Sequence, residues 1–224
     1  MATNSVYRTA SDLPGVIPVF PLPGALLLPR GQLPLNIFEP RYLAMIDDAF
    51  LSGQRIIGMI QPLPGQEDAK RPALSEIGCA GRITQLAETG DGRYMLSLTG
   101  IARFRVVEEV TAATAYRQCK VDFAPYETDF EARAGEEAVD RDGLLKTLRE
   151  FLDTNDMEAD WDGIRRAPTE VLVNALCMMS PWGVKEKQAL LEAPDLRTRA
   201  ALLVAVAEVA LARDKPSEVK PPLN

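Results

Sequence analysis

Between Val16 and Pro29 the chain is apolar enough for a core strand, yet Pro18, Pro21, Pro23 and Pro29 interrupt it. Proline has no N–H to give to a central ladder. The segment is thereby restricted to an edge strand or an extended crossover, and any sheet must be arranged around it. Leu33–Phe38, after Arg30 and Gly31, reads as a short strand. Pro40 suits the first position of a helix, where its fixed φ is pre-organised and no N–H partner is needed. Glu39 puts negative charge at the positive end of that helix dipole. Leu43, Ile46, Ala49 and Phe50 supply one apolar face, and Gly53 suits the C-terminal end.

A run of strands follows. Arg55–Ile60 reads as a strand bounded by Pro62, and residues 61–75, rich in Pro, Gly and charge, as a long surface loop. Ile77–Ala87 is a strand, and Glu88–Gly92 a hairpin turn with glycines where φ turns positive. The return strand, Tyr94–Thr99, meets a break or bulge at Gly100. Phe104 and Val106 then alternate with Arg103 and Arg105, and Cys119, Val121 and Phe123 alternate with Gln118, Lys120 and Asp122. Six or seven strands with one helix predict a small closed or nearly closed barrel, which removes exposed edges. Arg103, Arg105 and Lys120 read as a solvated strand face. An RNA-binding face would need a concentrated basic stripe.

Beyond this point the period changes from two to 3.6. Ala124–Gly135 reads as a linker. A helix over about Glu136–Leu152 carries the stripe Leu144, Leu145, Leu148, Phe151 and Leu152. Asp153–Asp162 is acidic but places Met157 where a calcium loop needs a ligand oxygen, so it reads as a solvated loop. A helix after Pro168 turns Val171, Leu172, Ala175, Leu176 and Met179 inward. Ser180-Pro181 ends it, Lys185–Glu192 forms a short helix, and a last helix has the stripe Leu196, Ala200, Leu203, Ala207, Ala210 and Leu211. The expected organisation is α+β: a flexible arm over 1–15, a β-barrel with one helix over 16–124, a C-terminal α-helical bundle over 136–213 and a flexible tail over 214–224.

Composition removes several classes of function. The chain has no histidine, which excludes Ser-His-Asp and Cys-His catalysis and histidine-containing zinc sites. Its formal net charge is −7, opposite to what counterion release on a phosphate backbone requires, so nucleic acid is not an expected partner. Three widely spaced cysteines, Cys79, Cys119 and Cys177, with no Cys-x-x-Cys, do not suggest a disulfide framework, which fits a reducing cytoplasm, and Cys79 and Cys177, among apolar neighbours, read as small buried hydrophobes. No signal peptide is apparent. The longest apolar run, Ala200–Ala207, is far short of the roughly 18 residues that span a bilayer, so no membrane partner is expected. No cofactor and no metal site is expected.

Five short motifs in order carry a resemblance. They are Pro21-Leu22-Pro23 with Pro29 and Pro34-Leu35; Phe38-Glu39-Pro40-Arg41-Tyr42; Ile57-Gly58; Glu76–Ile83; and Gly100–Val106. This order resembles the Lon protease N-terminal substrate-binding domain, most of all its stand-alone members. The resemblance implies a PUA-like barrel followed by a helical bundle, and a role in recognising polypeptides. The chain has no Gly-x-x-x-x-Gly-Lys-Ser/Thr phosphate cradle and no equivalent of the Ser–Lys protease domain, so no enzymatic activity is expected. Lys185–Glu192 is similar to a Glu-Lys-Gln-x-Leu-Leu-Glu segment of stand-alone members.

Candidate binding residues are Phe38, Glu39, Arg41, Tyr42 and Trp182. Glu39 and Arg41 suit contacts to a peptide backbone or carboxylate; the alternative is that Glu39 caps the helix and Arg41 pairs with a nearby acid. Tyr42 has an amphipathic ring that can be buried with its hydroxyl satisfied. Trp182 is either a packing residue between helices or a partner anchor. The expected function is a non-catalytic protein- or peptide-binding module that holds extended segments in a groove between barrel and bundle. The alternative is a small-molecule binder, or an enzyme, using an interdomain pocket.

Overall fold

β1 (Val16–Pro21) runs parallel to β3 (Ile56–Pro62) and antiparallel to β6 (Arg117–Asp122). The structure is a computed structural model that describes residues 6–66, 69 and 71–214. β2 (Gln32–Ile37) pairs with β5 (Tyr94–Val110), and β4 (Leu74–Glu88) lies between β5 and β3. The ladders run β2-β5-β4-β3-β1-β6, and β6 pairs again with β5. Five strands therefore form a ring, with β2 added to the edge of β5. The length of β5 permits this: its first half pairs with β2 and its second half with β6. The fold is α+β, with six strands in a mixed sheet.

Apolar alternation points Ile17, Val19, Ile56, Ile60, Ala80, Ala102, Phe104, Cys119 and Val121 into the ring. The segment expected to be a flexible arm differs over residues 6–15. Leu13 is buried in this core, and the Tyr7 hydroxyl accepts a hydrogen bond from Arg82 at 2.6 Å. Met1–Ser5 and the expected tail from Lys215 onward lie outside the described residues. After β1, Leu26, Leu27 and Leu28 are buried without regular structure. They cross β5 at Gly100, where the Arg30 N–H donates to Gly100 O and the Gly100 N–H donates to Gly31 O. A Cβ at Gly100 would overlap the Leu28 carbonyl, so only glycine permits the crossing.

α1 (Pro40–Leu51) starts at its proline and ends before Gly53, whose φ is 75°. Its buried face is Tyr42, Met45, Ile46 and Ala49. Leu43 and Phe50, expected on that face, flank it half-buried.

Arg103 corrects the solvated-face reading. It is 2% exposed, its Nε and Nη2 donate to the two Asp129 carboxylate oxygens at 2.9 and 2.8 Å, and its Nη1 donates to Leu191 O. Asp129 belongs to a 3₁₀ segment, Ala124–Phe130, so the first part of the expected linker is folded against β5. Alternation along a strand shows which face a side chain takes, but not that a distant carboxylate covers that face.

By its internal contacts the chain divides into two units, Met1–Ala134 with Asn174–Glu192, and Gly135–Val173 with Ala193–Asn224. In the first, α5 (Val184–Glu192) is held by buried polar groups. Lys187 Nζ donates to Gly24 O at 2.9 Å, Gln188 Nε2 to Ile77 O at 3.1 Å, and Gln61 Nε2 to Gln188 Oε1 at 3.1 Å. Burial pulls the Lys187 ammonium below its ordinary pKa.

In the second unit, α2 (Arg141–Thr154) packs on α6 (Leu196–Asp214) through Leu144, Leu148 and Leu152 and through Leu196, Ala200, Leu203, Ala207 and Leu211. A short α3 (Trp161–Arg166) begins at the end of the stretch read as an acidic loop. The Asp160 carboxylate accepts from the Gly163 N–H, and Arg141 donates to the Ile164 and Ala167 carbonyls at the other end.

α4 (Thr169–Met179) also differs from expectation. Val171 and Met179 are exposed, and the buried positions are Thr169, Glu170, Leu172, Val173, Asn174 and Cys177. The Asn174 amide donates to Pro29 O at 3.1 Å, which compensates its burial and rotates the helix away from its most apolar stripe.

Candidate functional site

One cavity of about 740 Å³ gathers Phe38, Glu39, Arg41 and Tyr42. Its walls come from the end of β1 and the residue after it (Phe20, Pro21, then Leu22), from β2 (Pro34, Asn36), from the turn into α1, and from Arg71 and Arg117. All of these residues belong to the first unit. The volume lies in the range of roughly 300–1,000 Å³ found for ligand sites. Trp182, between α4 and α5, is half-buried and does not line it.

The turn places the four side chains. Pro40 fixes the start of α1, so Phe38 and Glu39 precede the first turn while Arg41 and Tyr42 are on it. Glu39 is the N-cap by its backbone: its carbonyl accepts from the Tyr42 and Leu43 N–H groups. Its carboxylate makes no capping bond. It accepts from Arg41 Nε at 2.9 Å and Nη2 at 2.8 Å. The acid expected to pair with Arg41 is thus Glu39 itself. The Arg41 guanidinium lies 4.5 Å over the Tyr42 ring, and the Tyr42 ring sits 4.2 Å from that of Phe20. Tyr42 is buried, and burial pushes its phenol above the ordinary pKa. Phe38 stays 60% exposed.

Two further arginines line the cavity. Arg117 donates to both oxygens of Glu109, at 3.0 and 2.6 Å, and to Pro72 O at 2.7 Å; Arg71 donates to Glu109 at 2.6 Å. The Glu109 carboxyl is held below the usual carboxylate range, first by the Arg117 hydrogen bond. Chemically the cavity offers apolar and aromatic surface and guanidinium donors. Sequence reasoning missed Phe20, Arg71 and Arg117. Their only local signals are one aromatic residue between prolines, an arginine in a loop and an arginine at the start of a strand. What brings them to Tyr42 is closure of the ring.

Among the described residues no three His, Cys, Asp or Glu side chains gather as metal ligands, and no helix is long and apolar enough to cross a membrane. Cys79, Cys119 and Cys177 are buried and in no disulfide, and burial pushes Cys119 up to about 11.

This arrangement has relatives. The family model of the ATP-dependent protease La (LON) substrate-binding domain matches residues 16–206. Lon protease 2 of Myxococcus xanthus is 32% identical over 202 residues, 86% of this chain and 23% of that protein. The Lon protease of Anaeromyxobacter dehalogenans is 26% identical over 209 residues, 89% of this chain and 24% of that protein. The chain therefore spans about a quarter of the length of these curated relatives, and the match covers their substrate-binding part. Two solved structures share the fold. The N-terminal domain of a Mycobacterium avium complex Lon protease superposes with a TM-score of 0.64 at 20% identity, over 86% of this chain and 98% of that one. A Lon N-terminal domain protein from Xanthomonas campestris gives 0.59 at 24%, over 85% and 97%. With the family match running from β1 into α6, the chain belongs to the Lon substrate-binding domain family.

Proposed function

We propose that this chain is a non-catalytic polypeptide-recognition module, and that it binds exposed segments of other proteins at the cavity beside Phe38–Tyr42. The single observation that carries this is the composition of that cavity: Phe20, Leu22 and Tyr42 give apolar surface beside Arg41 and Arg117. An apolar wall next to guanidinium donors suits a chain that presents both side chains and carbonyl or carboxylate oxygens. In this reading the strand ring is a PUA-like barrel, the second unit is a helical bundle, and Phe38 and Arg41 touch the bound chain while Glu39 orients Arg41. A cytoplasmic adaptor that holds unfolded segments fits the module, and hydrolysis would belong to other proteins or domains.

The test uses dye-labelled, reduced and carboxymethylated lactalbumin, a permanently unfolded acidic chain, titrated with the protein and read by fluorescence anisotropy. Saturable binding is expected. Phe38→Ala and Arg41→Ala are each expected to weaken it about fivefold, roughly 1 kcal/mol, without changing the melting temperature. Equal affinity in the parent and both variants removes the cavity from the reading. Absence of binding, with a small molecule raising the melting temperature instead, moves the site to the small-ligand alternative.

A further inference from the structure

The strand ring is closed along one part of its height and open along another. β6 bridges β1 and β5, with Val16–Val19 against Arg117–Lys120 and Arg105–Val110 against Gln118–Asp122. It begins at Arg117, opposite Val19. From Phe20 onward β1 keeps β3 on one side and, among the described residues, has no strand on the other. β2 likewise has β5 on one side only. The cavity is lined by Phe20–Pro23 from the first free edge and by Pro34–Ile37 from the second. It is bordered by two unpaired strand edges.

Backbone alternation shows what these edges present. The Leu22 N–H donates to Ile60 O of β3, so the polar groups of Pro21 turn the other way, to the uncovered side. The Gly100 N–H donates to Gly31 O, so Leu33, Leu35 and Ile37 turn to β5, and Gln32, Pro34 and Asn36 turn outward. Pro21 and Pro34 thus occupy the positions where a missing N–H costs the native ladders nothing. They leave carbonyl acceptors at both edges and a backbone donor at Asn36. Prolines at such positions discourage edge-to-edge pairing between copies. The lining sets three guanidiniums (Arg41, Arg71, Arg117) against the carboxylates of Glu39 and, bonded to the last two, Glu109. Among the described residues the guanidiniums outnumber these carboxylates by one.

We infer that the slot takes an extended polypeptide segment as an added strand on the outward edge of β2. The segment's backbone pairs with Asn36 and Pro34, an apolar side chain packs on Phe20, Leu35 and Tyr42, and an acidic side chain meets Arg41 or Arg117. This rests on the polypeptide-binding reading above and adds its mode. Main-chain pairing supplies affinity that tolerates many sequences, and the alternate side-chain pockets supply a preference for acidic-apolar segments.

The discriminating position is Asn36. Asn36→Pro removes the outward N–H without touching the β5 ladder, whereas Asn36→Ala keeps it. With carboxymethylated lactalbumin as probe, Asn36→Pro is expected to weaken binding at least about tenfold and Asn36→Ala less than about twofold. Hydrogen exchange of the Asn36 amide in the parent protein, read by NMR, is expected to slow at least about tenfold on saturation. This second readout does not depend on the variant folding. Probe binding with unchanged Asn36 exchange and full affinity in Asn36→Pro overturns strand addition and leaves polypeptide recognition standing. No probe binding by the parent protein overturns both.

Discussion

Arg103 shows how much one residue can hold in this chain. It is buried with Asp129 in bidentate geometry, its backbone N–H donates to the same carboxylate at 2.9 Å, and its guanidinium lies 4.6 Å over the Tyr126 ring. Removing one partner strands a buried charge, so Arg103→Met or Asp129→Leu alone should cost about 3–5 kcal/mol. The pair Arg103→Met with Asp129→Leu should recover most of that loss, read by urea unfolding. An additive double mutant would show that the charges do not compensate each other. Tyr116 makes a different demand. Its hydroxyl donates to Asp48 at 2.7 Å, and burial, then that hydrogen bond, push the phenol up to about 12 from 10. A folded-state pKa raised in this way contributes stability that is complete below pH 10 and lost as pH rises through about 12. The ultraviolet difference between the parent and Tyr116→Phe should therefore titrate near 12; a midpoint near 10 would mean that the phenol is solvated.

Elements were legible where a local cue sets them. Pro40 and the spacing behind it placed α1, and glycines marked the β4–β5 turn, where Gly90 and Gly92 have φ of 75° and 80°. Elements were misread where a distant group decides. α4 buries Asn174 because Pro29 O accepts from it, and the carbonyls at the end of α3 are met by Arg141 of α2. The site divides in the same way. Phe38–Tyr42 is one contiguous motif and could be picked out directly. Arg117 and Phe20 reach it only because β6 pairs with both β1 and β5. Gly100 is the clearest case of an element fixed from outside, since the crossover of Leu26–Gly31 lies on it. Gly100→Ala forces the Leu28 backbone off β5, and we expect about 3 kcal/mol or more of destabilisation. Ala at Gly15, where a Cβ meets nothing, is the control and should melt within about 2 °C of the parent. Equal melting of the two variants would show that the crossover is free to shift.

At the scale of the whole molecule, chain order and contact order disagree. The strands end at Asp122, yet Asn174–Glu192 belongs with them by its contacts. The reason is chemical. Lys187 and Gln188 bond to Gly24 O and Ile77 O, Arg103 donates to Leu191 O, and Leu190 and Leu191 are buried. The Glu-Lys-Gln-x-Leu-Leu-Glu segment is therefore part of the ring's own packing. A fragment ending at Ala134 lacks these groups: it leaves the Arg103 Nη1 donor without Leu191 O and exposes the apolar surface under α5. Each buried polar group left unsatisfied costs about 1–3 kcal/mol, and the leucines add about 2 kcal/mol each. Against a domain stability of about 5–15 kcal/mol, that is enough to remove the folded state. The fragment 1–134 should show no cooperative thermal transition by circular dichroism. Adding a synthetic peptide of residues 174–192 in excess should restore one, because it returns the missing bonds. If the fragment melts cooperatively at the full chain's temperature without the peptide, α5 contributes nothing to the ring.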